Sequence, residues 1–310
     1  MGLIRNVLLL GSQSVWLRER AMRRPFVRRS VSRFMPGEHL EDALRAAKSL
    51  QAQGIGTILT HLGENLVEAS EAEEVTRHYL EVLDQIRASG LDTRISVKLT
   101  QLGLDFDAAL CQKNLLTLVQ RAEALGNLVW IDMEGSDYVD RTLEQYRNAR
   151  LRSAQVGICL QAYLRRTAAD LESLLPLGPS VRLVKGAYRE PATIAFARKA
   201  DVDHNFYTLA TSFLSAREPS PGAFLGIGTH DPRLLRGIED FVAREQIPPT
   251  RLEYEMLYGI QRRLQQELIG AGRPLRVLIS YGEFWFPWYM RRLAERPANV
   301  LFVARNLLGG

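Results

Sequence analysis

Eight short runs rich in β-branched and aliphatic residues recur along the chain, at residues 54–61, 93–99, 128–134, 155–161, 180–185, 223–230, 251–256 and 275–280. Each is too short for a helix and is bounded by Gly, Pro, Asn or Ser, so each predicts a strand. Between them lie stretches with apolar residues at helical spacing. In 68–89 the stripe is Val75, Tyr79, Val82, Leu83 and Ile86; 106–125, 137–150, 168–175, 192–215, 232–244 and 260–271 read likewise. Strands alternating with helices mean parallel βαβ units. Eight units without a repeat-array period predict an α/β fold, a closed (βα)8 TIM-type barrel. Residues 1–50 precede the first strand and include a helical pattern at 40–50. No Pro/Ser-rich linker divides the chain. The expected organisation is one domain, with 1–50 as an N-terminal helical extension and 51–310 as the catalytic barrel.

Composition fits this picture. The chain has 310 residues, 46% hydrophobic and 24% charged, enough apolar side chains for a large core. The net charge of +5 comes from 40 basic and 35 acidic residues. Its excess is local, with Arg18, Arg20, Arg23, Arg24, Arg28, Arg29 and Arg33 crowded together. Elsewhere the signs mix, which argues against nucleic acid as a partner. Cys111 and Cys159 lie far apart without ligand spacing, so both are expected as reduced, buried thiols. The five histidines form no HExxH pattern, so no metal site is expected. The apolar start is short, lacks a small-residue cleavage site, and has Asn6 where a myristoylation signal has Ser or Thr. No stretch is long enough to span a bilayer. A cytoplasmic protein is expected. Leu8–Leu10 and Val15–Leu17, next to the arginines, either pack as a helix on the barrel or make peripheral contact with the inner membrane face.

Barrel enzymes carry their chemistry at the C-terminal ends of strands. The ends here read His61, Lys98, Asp132, Glu134, Gln161, Lys185, Thr229, His230 and Glu255, a candidate ring of functional groups. After the last strand, 285–297 reads as a short helix, with Pro287 in its first turn and Pro297 as its stop. Trp288 stands three before Arg291 and four before Arg292, so all three share neighbouring faces. The arginine pair suits a bidentate carboxylate or phosphate. By spacing alone it equally suits a solvated basic face with Arg291 paired to Glu295. In the fifth strand Arg182, Val184 and Gly186 point one way, and Leu183 and Lys185 the other. Gly186 and Ala187 then let a flat ligand approach the backbone. There is neither a GxGxxG nor a Walker motif, which excludes the usual dinucleotide and P-loop sites.

Several motifs together resemble the proline dehydrogenase family. They are Arg33-Phe-Met-Pro-Gly-Glu38, His61-Leu-Gly-Glu64, Ser96-Val-Lys-Leu-Thr100, Ile131-Asp-Met-Glu134 and Leu160-Gln-Ala-Tyr163. Arg182-Leu-Val-Lys-Gly-Ala-Tyr188, Gly228-Thr-His-Asp231, Tyr254-Glu-Met-Leu-Tyr-Gly259 and Arg291-Arg-Leu-Ala-Glu-Arg-Pro297 complete the set, roughly one per barrel unit. The length is similar to that of the small bacterial monofunctional members. The resemblance implies an FAD-dependent oxidation of L-proline to Δ1-pyrroline-5-carboxylate, by hydride transfer to flavin N5, with electrons passed to a membrane quinone. It implies that Lys98, Arg291 and Arg292 bind the substrate carboxylate and that Asp132 stands near the lysine and flavin. Tyr188 would wall the pocket, and Glu64 would form a gate with Arg291. Arg182 is implied near flavin N5, with Met133, Gln161, Val184, Lys185, Gly186, Ala187, Thr229, His230 and Glu255 as other flavin contacts. Two positions depart from the family pattern: Leu278 and Trp288 stand where tyrosines are usual. Both changes remove a hydroxyl next to the substrate. A second expectation is therefore a related cyclic or N-alkylated amino acid, such as hydroxyproline; a third is a barrel that binds without catalysis.

Overall fold

Eight strands pair in parallel and in sequence order, and the last closes on the first. In the computed structural model, residues 31–63, 66, 68–216, 223–286 and 289–290 are described. The strands are β1 (Gly56–His61), β2 (Thr93–Val97), β3 (Val129–Ile131), β4 (Val156–Gln161), β5 (Ser180–Val184), β6 (Leu225–Gly228), β7 (Leu252–Leu257) and β8 (Leu275–Tyr281). All eight expected strands are present. β3 is shorter than its apolar run, ending at Ile131.

The helices are α1 (Leu40–Gln51), α2 (Ala69–Ala88), α3 (Ala108–Ala124), α4 (Val139–Arg150), α5 (Thr167–Leu174), α6 (Lys199–Ser215), α7 (Pro232–Arg244) and α8 (Arg262–Gly270). The stripe Tyr79, Val82, Leu83 and Ile86 is buried, as its spacing predicts. α7 starts on Pro232, with the Asp231 carboxylate accepting from the Arg233 N–H at 3.2 Å, a proline and a cap at the helix N-terminus. One expectation fails: residues 192–198 are not helical, and α6 begins only at Lys199. The segment instead bonds to the loop after β4, with Arg165 N–H donating to Ile194 O and Phe196 N–H to Tyr163 O. Pro191 opens it, and these pairings satisfy the backbone without a helix.

α1 lies before β1 in sequence yet packs against both β1 and β8. It supplies helical cover at the seam where the barrel closes. The β1–β8 pairing runs in register from Gly56↔Arg276 to His61↔Tyr281. Outward strand residues such as Leu59, Ile95, Ile131, Ile158, Leu183, Ile227 and Val277 form one continuous core with the helices. Inside the barrel, Ile58, Leu128 and Trp130 form a separate apolar layer, against which Phe224 and Leu278 pack. Below it, at the N-terminal ends of the strands, Glu253 pairs with both Arg94 and Arg276. Above it lies a second charged layer, at the floor of the barrel mouth. Among the described residues, no helix is long and apolar enough to cross a membrane.

Candidate functional site

The upper layer centres on Arg182 of β5, which is 4% exposed. Strand alternation turns its side chain inward, where its guanidinium lies 4.7 Å over the Trp130 ring. Nη1 donates to Asp132 Oδ1 at 2.9 Å and to Ser96 Oγ at 3.0 Å. Nε donates to the Glu255 carboxylate. Ser96 in turn donates to Asp132 Oδ1 at 2.7 Å. Three strands are thus tied to one buried cation. Burial is the largest influence on Glu255 and pushes its carboxyl well above the ordinary carboxylate range, against the attraction of Arg182.

Over this floor opens a cleft of about 640 Å³, within the range of small-molecule sites. It is lined by Lys98, Asp132, Met133, Gln161, Arg182, Val184, Lys185, Gly186, Ala187, Tyr188, Thr229, His230, Glu255 and Leu278. Every described residue that the resemblance assigns to substrate or cofactor therefore lines one cavity. Glu64, Trp288, Arg291 and Arg292 lie outside the described residues. Two strand-end groups of the expected ring do not reach the cleft. Glu134 is held by the turn after β2, accepting from Thr100 N at 3.2 Å and Thr100 Oγ1 at 2.8 Å. His61 faces outward, toward α2.

Four polar atoms of the lining residues are buried and lack a hydrogen-bond partner among the described residues: Arg182 Nη2, Gln161 Oε1, Glu255 Oε1 and Ser280 Oγ. Stranding such atoms is costly, about 1–3 kcal/mol each. A donor, two acceptors and a hydroxyl around one cavity are the complement of a flat heterocycle with mixed polar edges. The backbone is shaped to match. Gly186 has φ +112°, and a Cβ there would stand 2.2 Å from the Tyr163 ring. Only glycine lets the chain after β5 pass this closely under the lip.

One lip is a box of two lysines and two aspartates. Lys185 Nζ donates to Asp203 Oδ1 at 2.6 Å and Asp231 Oδ2 at 2.9 Å. Lys199 Nζ meets the same two carboxylates. Burial pushes the Asp231 carboxyl up, but the hydrogen bonds from Lys199 and Lys185 outweigh it and hold the group well below the usual range. His230 Nε2 accepts from the Leu257 N–H at 2.8 Å. The neutral ring then carries its proton on Nδ1.

The outward-facing His61 stacks near His78 and Tyr281, with ring centroids at 4.6 and 5.2 Å. Its backbone N–H donates to Tyr79 Oη at 2.9 Å, and its carbonyl accepts from Gln101. This anchors the end of β1. Burial, then repulsion from His78 and Lys98, lowers the His61 pKa from 6.5 to about 4. A folded-state pKa below the unfolded one means that folding disfavours the protonated ring. Stability is therefore full above about 6.5 and falls as the pH drops toward about 4, by on the order of 1–3 kcal/mol. His61→Gln should flatten that part of the curve in urea denaturation followed against pH; an unchanged acid limb would contradict it.

Sequence reasoning did not mark Ser96, Lys199, Asp203, Asp231 or Ser280 as site groups. Ser280 shares its strand face with Leu278, which was a usable signal. Lys199 and Asp203 start a helix far from any strand end, and nothing local announced them.

A closed parallel barrel with an orphan-lined cleft at its C-terminal face is that of a (βα)8-barrel enzyme. The sequence pattern described as Proline dehydrogenase matches residues 43–305. The chain is 35% identical over 306 residues to Proline dehydrogenase 1 of Bacillus subtilis (strain 168), covering 99% of each chain. It is 36% identical over 285 residues to Proline dehydrogenase of Deinococcus radiodurans, covering 90% of each. Proline utilization A from Bdellovibrio bacteriovorus, solved as inactivated by N-propargylglycine, superposes with a TM-score of 0.81 at 21% identity. That likeness, which concerns the fold alone, covers 94% of this chain and 36% of the other. The chain belongs to the proline dehydrogenase family.

Proposed function

We propose that the protein oxidises L-proline to Δ1-pyrroline-5-carboxylate, with FAD held in the cleft and electrons passed to a membrane quinone. The observation that carries this reading is the set of buried atoms around the cleft without a partner among the described residues, Arg182 Nη2, Gln161 Oε1, Glu255 Oε1 and Ser280 Oγ. When bound, FAD supplies the hydride acceptor for the ring carbon beside the substrate nitrogen. Met133, Gln161, Arg182, Val184, Lys185, Gly186, Ala187, Thr229, His230 and Glu255 would hold it. Lys98, at the end of β2, supplies a cation for the substrate carboxylate, to be joined by Arg291 and Arg292. Tyr188 walls the substrate, Asp132 fixes Arg182 beneath it, and Glu64 gates the entrance. The residues bind, orient and exclude water; none has to act as a nucleophile. Passing electrons to a quinone requires contact with the membrane surface, so a cytoplasmic protein peripheral at its inner face fits this reading.

Leu278 favours keeping a second substrate class in view. It lines the cleft, where the family pattern has a tyrosine, and its strand neighbour on the same face is Ser280, whose hydroxyl has no partner among the described residues. A ring bearing a hydroxyl or an N-alkyl group is the alternative, because an apolar exchange shifts discrimination by only about 1–3 kcal/mol.

The test is a purified protein assayed with proline, hydroxyproline and N-methylproline and a quinone acceptor. Yellow protein that releases FAD on denaturation, with proline as the best substrate, is expected. A colourless protein that cannot be reconstituted overturns the cofactor. Strong turnover of an analogue without proline turnover moves the substrate. Arg291→Met or Arg292→Met should raise KM about 10- to 100-fold while flavin stays bound, matching a lost charge-assisted contact. An unchanged KM would remove the carboxylate clamp from the reading.

A further inference from the structure

Glu255 is a floor carboxylate that lines the cleft with one buried oxygen to spare among the described residues. Its Oε2 is taken by Arg182, while Oε1 is buried without a partner among the described residues. A Cβ on residue 226 would stand 2.5 Å from Oε1, so Gly226 of β6 leaves the space that the carboxyl occupies. The charged groups around it come from every side. Arg182 lies on β5, Asp132 at the end of β3, Arg94 on β2, Arg276 on β8 and Glu253 on its own strand. Cys159 of β4 is neutral, because burial pushes its thiol up to about 12. In the upper layer one guanidinium faces two carboxylates. With both ionised the layer carries an excess negative charge directly under the cleft. Such a floor opposes the arrival of further negative charge unless a proton comes with it.

We propose that Glu255 is the proton store of the site: it takes up one proton when the cofactor above it is reduced and gives the proton back on reoxidation. This rests on the flavin reading of the cleft. The substrate C–H bond breaks, a C=N bond forms, and the hydride carries two electrons and one negative charge into the cleft. One proton from solvent then forms an O–H bond at Oε1, and the added charge is balanced within the barrel. When both electrons leave for the quinone acceptor, the transferred hydrogen departs as a proton, the O–H bond at Glu255 breaks as well, and the two protons pass to the acceptor or to solvent. Burial already raises the carboxyl toward neutrality. Charge above it raises it further, so proton uptake on reduction falls between the two midpoints.

The test is the midpoint potential of the bound flavin against pH, between about pH 6 and about pH 9, in the wild-type protein and in Glu255→Gln. Over the uptake window the wild-type potential should fall more steeply than the variant's by about 30 mV per pH unit, the tenfold step of a two-electron couple. Parallel lines overturn the proposal. Should the variant fail to fold, the wild-type infrared difference spectrum decides. On reduction it must gain a protonated-carboxyl band, and a spectrum without that band overturns the proposal. A colourless protein overturns this proposal together with the reading beneath it; a yellow protein with parallel lines overturns this one alone.

Discussion

Arg182→Met should destabilise the fold by about 3–5 kcal/mol, the usual effect of removing one partner from a buried ion pair, and leave the purified protein nearly free of flavin. The side chain is 4% exposed and pairs with both Asp132 and Glu255. Methionine keeps the packing over Trp130 but strands two carboxylates in the barrel. Their repulsion must then be relieved by protonation or by water entry. Two measurements check this: the denaturant midpoint, and the flavin absorbance per protein. Arg182→Lys keeps the charge but loses the fork that reaches Ser96, Asp132 and Glu255 together. It should recover part of the stability and little of the flavin. Wild-type stability with full flavin in the methionine variant would show that this layer is neither structural nor part of the cofactor site.

Gly259→Ala should be nearly as damaging, although it lies outside the cleft. Gly259 has φ +73°, and a Cβ there would stand 1.6 Å from the Arg33 carbonyl oxygen. The left-handed backbone costs an alanine about 1–2 kcal/mol, and moving the packed segment adds about 1–3 kcal/mol. The segment is one side of a satellite core of Val31, Phe34, Met35, Leu62, Ile260, Trp285, Phe286 and Tyr289. Trp285 Nε1 also donates to Glu38 Oε1 at 2.8 Å. Displacing residues 33–38 therefore loosens the packing of Trp285, Phe286 and Tyr289. The expected result is a loss of about 3 kcal/mol together with a raised KM, read by denaturation and steady-state kinetics. An alanine variant with native stability and KM would mean that the 33–38 segment docks elsewhere.

The strands were legible because buried parallel strands read as short, near-continuous apolar runs, and α2 and α7 because their stripes and caps are local. The 192–198 segment was not legible. Its apolar spacing suits a helix, and only the partner carbonyls and amides near Tyr163 and Arg165 decide otherwise. Strand parity separated Arg182 and Val184, which line the cleft, from Leu183 in the outer core, but it failed for Lys185, which lies past the end of β5 and lines the cleft too. The position of a residue at a strand end did not fix its direction, which is why His61 and Glu134 turned away. The motifs at 33–38 and 254–259 were visible as resemblance before their physics was. One supplies the carbonyl that the other's glycine has to clear.

The closure of the barrel also bears on how the chain comes to fold. α1 and β1 are made early, yet both pack against β8, made more than two hundred residues later. Until β8 emerges from the ribosome, β1 has an unsatisfied edge and α1 an apolar face without its partner. Contacts of such separation in sequence form slowly, and open edges of this kind invite pairing with other chains. The seam between the first and last strands is thus where nascent protein is most exposed to aggregation, and where a chaperone has most reason to wait.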